Sequence, residues 1–308
     1  MGLGQGARSD HLSAFGPVFD AYEAVRARLP EAGPGGACAP ARDLSEIADR
    51  YDTFFLDAFG VLNVGETAIP GAPGRIAALQ AVGKRVLVVS NAAGQPHRLL
   101  MEKYARLGFD FAPEDVVTSR KALLSALCAS GTRWGIMANP ELGRDDLEAL
   151  RVDFLGDDRA AYDAAEGFLL IGSAVWTEAR QRLLEESLRA HPRPVHVGNP
   201  DIAAPREGGP SREPGHWAHR LADRTGIAPV FHGKPYGGIY DLAFARAGMP
   251  DPGRVLMVGD SLHTDILGGQ VAGVRTALIT DHGLLRGTDA AAAIARAGIR
   301  PDHVLATT

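Results

Sequence analysis

The chain of 308 residues is 45% hydrophobic and 22% charged, enough apolar content for one large core or two moderate ones, and it carries a net charge of −5. Its lysines and arginines are scattered rather than gathered into a stripe, which sets aside nucleic acid and anionic membrane as partners. Cys38 and Cys128 stand far apart without a neighbouring thiol, which excludes a disulfide framework and a cysteine-based zinc site and fits a reducing cytoplasm.

The start, MGLGQGARSDHL, lacks the apolar core of a signal peptide. Gly6 stands where a myristoylation signal beginning at Gly2 would need Ser or Thr, and no apolar run of about 18 residues occurs anywhere, so a cytoplasmic location is expected. Residues 1–47 read as an N-terminal extension, with one amphipathic helix over Pro17 to Leu29 and then the flexible stretch PEAGPGGACAPA. From Leu44 a regular alternation begins: a short helix SEIADRY, strand TFFLDA, helix GAPGRIAALQAVGK, strand RVLVVSN, helix PHRLLMEKYARLG and strand DVVTS. Strands separated by helical patterns of about 10 to 15 residues specify βαβ units and a parallel sheet. A second block runs through RWGIMAN, VDFLG, GFLLIGS, a helix over Glu178 to Ala190, and PVHVGNPD. The third returns with PVFHGKP, the helix GGIYDLAFARAG, strand RVLMVGD, a helix from Asp265, strand RTALIT and an Ala-rich helix. Blocks one and three read as two halves of one doubly wound α/β sheet. The expected divisions are a core over 48–117 and 228–308, with an inserted α/β domain over 118–227.

Four segments place polar residues just past the carboxyl end of an expected strand: Asp57, Ser90 with Asn91, Lys234, and Asp260 with Ser261. At that edge of an open α/β sheet loops converge and helix N-termini aim their amides at a ligand. Each segment alone has an ordinary reading as a turn, a cap or a surface charge; four together point to a site. A strand-end carboxylate such as Asp57 can attack an electrophile or hold a cation. The Ser90 hydroxyl and its neighbouring amides can donate to a phosphate. Lys234, with apolar, Gly and Pro neighbours, can neutralise both a phosphate and Asp57. Asp260 and Asp265, with Asp57 as a third carboxylate, form the oxygen set that a hard cation takes, and Mg²⁺ is the expected one.

In this order, LDAFGVLNVG, VVSNAAG, HGKP and GDSLHTD resemble the four motifs of the haloacid dehalogenase superfamily of aspartate-nucleophile hydrolases, over nearly everything after residue 45. The insertion, the NPD of Asn199 to Asp201, and the TS of Thr118 and Ser119 resemble its subclass IIA, which includes phosphatases of sugar phosphates, nucleotides, p-nitrophenyl phosphate and pyridoxal phosphate. The resemblance implies a Rossmann-like core under an α/β cap and a small phosphorylated substrate turned over through an aspartyl phosphate. Asp57 would be the nucleophile, with Ser90, Asn91 and the catalytic Lys234 on the phosphoryl group. Asp57, Asp260, Asp265 and the backbone carbonyl of Phe59 would surround Mg²⁺, and Asn199 and Asp201 would face the substrate from the cap. A homodimer formed through the cap is a tendency of that family.

The sequence departs from the pattern at Phe59, where phosphatases of this superfamily carry a second Asp that protonates the leaving oxygen and later activates water. Losing a general acid/base costs about 10² to 10⁴ in rate, or roughly 3 to 5 kcal/mol of barrier. Two further readings follow from Phe59: a binding or regulatory protein with a degenerate site, and a dehalogenase-like or phosphonate-cleaving enzyme, since those members also lack that Asp.

The remaining polar residues carry bland expectations. His216 and His219 share a helix face without a nearby third ligand, and His191 and His196 have no evident role. GGPSREPG reads as a mobile loop without the Gly-Lys-Ser/Thr ending of a P-loop. Arg98, Arg120 and Lys121 read as solvated helix surface. Trp134, Trp176 and Trp217 read as the core of the inserted domain, with stacking on a flat substrate as the alternative.

Overall fold

A computed structural model describes residues 16–127, 131–204 and 211–308; Gly2, Gly6, Cys128 and the first three residues of GGPSREPG lie outside the described residues. Helix α1 covers residues 16–24. It is followed by β1 (Ala39–Ala41), β2 (Thr53–Leu56), the small hairpin β3 (Asn63–Val64) and β4 (Thr67–Ala68), α2 (Ala72–Ala81), β5 (Arg85–Ser90), α3 (His97–Arg106), β6 (Val116–Thr118) and α4 (Ser119–Ala126). The middle of the chain forms β7 (Arg133–Met137), β8 (Arg151–Phe154), α5 (Arg159–Ala164), β9 (Gly167–Leu170), α6 (Glu178–Ala190) and β10 (Val195–Val197). The antiparallel pair β11 (Ala203–Ala204) and β12 (Ser211–Arg212), α7 (Pro214–Thr225) and β13 (Val230–Phe231) complete that part. The last part holds α8 (Gly238–Ala247), β14 (Val255–Gly259), α9 (Leu267–Val271), β15 (Arg275–Ile279), α10 (Ala290–Ala297) and β16 (His303–Leu305).

Two parallel sheets result. The larger has the order β1-β16-β15-β14-β2-β5-β6 and the smaller β13-β10-β9-β7-β8. Every residue of β2 and β14 is buried, as expected for parallel strands covered on both faces, which read as continuous apolar runs rather than alternating ones. Phe54 and Leu56 pack on one face with Ile76 of α2 and Leu100 of α3, whereas Phe55 packs on the other with Ile239, Tyr240 and Ala243 of α8. Strand order grows outward from β2 through β5 to β6, and from β14 in the opposite direction through β15 and β16. The reversal between β2 and β14 is the topological switch point, outside whose carboxyl ends a crevice opens.

The smaller sheet has its own core, in which Trp176 and Trp217 pack with Tyr162, Phe168, Leu184 and Leu221, while Trp134 packs with Ile136 and Leu169 on the other face. All three indoles are at most 8% exposed, so none offers a free stacking face.

Three expectations are corrected. The strand in PVFHGKP pairs with β10 of the smaller sheet, Val197 opposite Phe231, rather than with the larger one. It is a two-residue edge strand, and Phe231 is held by ring stacking on His219 at 4.9 Å and Tyr236 at 5.0 Å. SEIADRY forms two 3₁₀ turns, Leu44–Glu46 and Ala48–Arg50, rather than one helix.

The N-terminal segment is not an appendage. β1 pairs with β16, and the Gly-rich approach to it runs against the neighbouring chain, with Gly36 N–H donating to the Arg300 carbonyl at 2.8 Å. A Cβ on Gly36 would lie 2.4 Å from the Asp302 backbone, so glycine there permits close approach rather than flexibility. Helix α1 buries Val18, Phe19 and Tyr22 against Ile266, Leu267 and Leu278. Phe19→Ala is therefore expected to lower the unfolding free energy by about 3–5 kcal/mol in urea denaturation, as for other buried Phe truncations. A change below about 0.5 kcal/mol, the size of an ordinary surface substitution, would restore the appendage reading.

Candidate active site

Asp57, Ser90 and Asp260 stand at the ends of the adjacent strands β2, β5 and β14, because register pairs Leu56 with both Val88 and Val258. The fourth segment reaches the same place from the smaller sheet. Lys234 Nζ lies 2.6 Å from Asp57 Oδ1 and 2.6 Å from Asp265 Oδ1, and the residue is 1% exposed. Burial alone would lower the lysine pKa, but Asp265 and Asp57 outweigh it and hold the ammonium charged.

Asn91 locks this lysine in position. Its Oδ1 accepts the Lys234 N–H at 2.8 Å, and its Nδ2 donates to the Lys234 carbonyl at 2.9 Å and to Asp201 Oδ1 at 2.8 Å. Gly233 makes this possible, since a Cβ there would stand 2.6 Å from Asn91 Oδ1 and 2.8 Å from both Pro200 and Ser119. Ser90 is buried beside Asn91, and its Oγ is 3.4 Å from the Ala92 N–H.

Asp265 enters through a π-helical turn, Leu262–Ile266, rather than the first turn of an α-helix. The wider turn lets its Oδ2 accept the amides of Asp260 at 3.1 Å and Ser261 at 3.0 Å. Asp260 Oδ2 accepts the Leu284 N–H at 2.7 Å. One ligand oxygen from each of Asp57, Asp260 and Asp265 lies within 4.8 Å of the others. When all three are ionised, Lys234 balances one of their charges and leaves two, the charge of one divalent cation. The pKa values of Asp260 and Asp265 are raised, first by burial and then by the neighbouring carboxylates. Donor type, spacing and unbalanced charge all fit a hard divalent ion.

Phe59 is half-buried, and its backbone bridges to Asn63. Its ring supplies no proton. From the cap side, Asn199 Oδ1 accepts the Asp201 N–H at 2.9 Å, and the Asp201 carboxyl reaches Asn91 as described. The other substrate-side candidate, Asn199, instead points its amide at Glu213, 3.4 Å away.

Other expectations divide. Arg98 is exposed and paired with Glu102. Arg120, expected on the surface, is 4% exposed and binds the carbonyls of Ala93 at 3.0 Å and Asp145 at 2.6 Å, because α4 packs under the second motif. Lys121 is half-buried on the carbonyls of Pro113 and Val116. His219 is buried and its pKa falls to about 4 through desolvation, which makes it a packing residue. His196 Nδ1 faces His232 Nε2 at 2.9 Å, a pairing the sequence did not suggest. Also missed were Gly283 and Leu284: a Cβ on Gly283 would meet Asp260 Oδ2 at 1.9 Å, so this glycine and the Leu284 amide shape the carboxylate site through backbone, which carries no side-chain signal. Among the described residues no helix is long and apolar enough to cross a membrane.

Residues 54–149 match the family of haloacid dehalogenase-like hydrolases, and residues 231–308 match a second HAD-hydrolase-like family. The chain is 32% identical over 297 residues to glycerol-3-phosphate phosphatase of Gallus gallus, covering 83% of this chain and 89% of that protein. It is 32% identical to chronophin of Homo sapiens over 76% of this chain and 83% of that one. Among solved structures, glycerol phosphate phosphatase from Mycobacterium tuberculosis in complex with calcium superposes with a TM-score of 0.67 at 26% identity, over 84% of this chain and 74% of that one. A possible sugar phosphatase from Cytophaga hutchinsonii shares the fold at a TM-score of 0.76 and 23% identity, over 87% and 98% of the two chains.

Proposed function

The chain belongs to the haloacid dehalogenase-like hydrolases, and from that premise we propose that it is a Mg²⁺-dependent phosphatase of a small phosphorylated metabolite. The observation that carries this reading is the buried cluster of Asp57, Asp260 and Asp265, in which one ammonium pairs with Asp57 and Asp265 and, once all three carboxyls are ionised, two negative charges remain for a cation. A metal-binding carboxylate set favours phosphoryl transfer over halide displacement, which needs no metal. Relatives named as glycerol-3-phosphate phosphatase and chronophin support the same class.

In this reading Asp57 attacks phosphorus and the leaving oxygen departs, giving an aspartyl phosphate that water then hydrolyses. Lys234 holds Asp57 in place through its 2.6 Å contact and meets the phosphoryl oxygens, together with Ser90. Asn91 acts by fixing Lys234. Asp57, Asp260, Asp265 and the Phe59 carbonyl would hold Mg²⁺, whose role when bound is to neutralise the phosphoryl charge. The smaller sheet and its helices form the cap that selects the leaving group. Position 59 supplies no proton, so the leaving group either departs without one or receives it from another residue at the site.

The reading is tested by Mg²⁺-dependent release of inorganic phosphate from p-nitrophenyl phosphate. Tight ligand binding without any turnover would favour the degenerate-site alternative instead.

Mg²⁺ should also stabilise the fold in a pH-dependent way. Raised carboxyl pKa values mean that the metal-free fold binds extra protons, so it loses stability as pH rises through the raised values. Mg²⁺ competes with those protons. Its stabilisation, about 2.7 kcal/mol at a hundredfold excess over Kd, is therefore expected in thermal melts near neutral pH and should shrink at about pH 5. An equal shift at both pH values would count against these carboxylates as ligands.

A further inference from the structure

We propose that Asp201 is the proton donor and acceptor that stands in for the acid missing at position 59. This inference rests on the phosphatase reading above. Its basis is where the carboxyl is held. Three consecutive hydrogen-bonded links connect it to the nucleophile: Asp201 Oδ1 to Asn91 at 2.8 Å, Asn91 to the Lys234 backbone at 2.8 and 2.9 Å, and Lys234 Nζ to Asp57 at 2.6 Å. Asp201 thus lies beside the active-site edge, in the loop between β10 and β11 of the cap.

The backbone that presents it is fixed at three points. The Asn199 side chain accepts its N–H at 2.9 Å, its own carbonyl accepts the Gly215 N–H at 3.0 Å at the start of α7, and the next amide, of Ile202, donates to Tyr22 Oη at 3.3 Å. As a residue Asp201 is half-buried.

The neighbouring ionisable groups are otherwise engaged. Glu213 receives Ser211 Oγ at 2.6 Å and Asn199 Nδ2 at 3.4 Å. Lys234 is bound to Asp57 and Asp265, and Tyr22 is buried with its phenol pKa pushed far up by desolvation and by Asp201. The Asp201 pKa itself is pushed up to about 7, by burial first; Asn91 and Lys234 pull it down, and Asp57 and Glu213 push it up. A carboxyl that titrates near neutral pH can both give and take a proton in one turnover.

The proton balance closes. As the Asp57–phosphorus bond forms and the ester P–O bond breaks, the Asp201 carboxylic acid gives its proton to the departing oxygen, releasing an alcohol. As water attacks phosphorus and the Asp57–phosphorus bond breaks, the Asp201 carboxylate takes a proton from that water. Inorganic phosphate leaves and both aspartates return to their starting forms.

A purely positioning Asp201 would affect all substrates alike, whereas a proton donor matters only when the leaving oxygen is basic. The experiment measures kcat/KM with Mg²⁺ for an alkyl phosphate and for p-nitrophenyl phosphate, in the parent and in Asp201→Asn, which keeps the acceptor for Asn91. Asp201→Asn is expected to lose about 10²–10⁴-fold on the alkyl ester and less than about tenfold on the aryl ester, whose phenolate leaves unprotonated. Adding Phe59→Asp to that variant should restore alkyl turnover. A second measurement needs no substitution: parent kcat/KM on the alkyl ester should fall about tenfold per pH unit above about pH 7, while the aryl ester shows no such arm. Equal losses on both esters, or the same alkaline arm for both, would overturn the Asp201 assignment and leave the phosphatase reading standing. If the parent releases phosphate from neither ester, both fail.

Discussion

Asp57→Asn is expected to abolish Mg²⁺-dependent phosphate release, a loss on the order of 10⁴-fold or more, because the amide cannot take the place of a covalent nucleophile. The substitution is nearly isosteric. The amide oxygen can still accept the Lys234 ammonium, which now lies 2.6 Å from Asp57 Oδ1, and the backbone N–H still donates to the Val258 carbonyl at 2.9 Å. The fold should therefore survive while turnover disappears, which separates chemistry from stability. Phosphate assays alongside thermal melts check both halves. Retention of a tenth or more of parental turnover would remove Asp57 from the reaction.

Lys234→Met is expected to remove both activity and a large part of the stability. Lysine 234 is the cation between Asp57 and Asp265, and its side chain is 2% exposed. Removing one partner of a buried charge set strands the others, at a cost of about 3–5 kcal/mol. Methionine keeps the chain length and volume, so the cost reports the lost charge rather than a cavity. Because the folded lysine holds its proton more tightly than the unfolded one, its contribution is fully present at neutral pH and is lost only when pH rises through the folded value. Urea denaturation near neutral pH should therefore show the full difference between parent and variant. A difference below about 1 kcal/mol would mean that the carboxylates are already protonated and the ion pairs are not formed.

The central site was legible because its side chains follow apolar strands, and in a parallel sheet those strand ends must converge. Asp57, Ser90 and Asp260 share one edge for that reason, and the inserted domain was legible from a break in the same rhythm. Other features depended on packing that local pattern does not encode. PVFHG is as apolar as any core strand, yet β13 joins the smaller sheet because its pairing partner is β10. PEAGPGGACAPA has the composition of a linker, but its glycines are needed where the chain runs against residues 300–302. Arg120 has a surface residue's chemistry and was buried by the two backbone carbonyls that it satisfies. The contact of Asp201 with Asn91 joins residues separated by 110 positions, so no spacing rule would have found it.

Phe59 keeps its significance after the structure is known. The cluster around Lys234 forms without an acid at that position, so in the proposed reaction binding of the phosphoryl group is separable from proton delivery. That separation is why aryl and alkyl esters are informative as a pair: the aryl ester reads the nucleophile and the metal site, and the alkyl ester adds the proton.

The most direct test of a nucleophilic Asp57 is mass spectrometry of the protein quenched in acid while it turns over p-nitrophenyl phosphate with Mg²⁺. One phosphoryl group on the peptide containing Asp57, absent from Asp57→Asn, is the predicted result. Rapid phosphate release with no label on that peptide, and with Asp57→Asn as active as the parent, would contradict it.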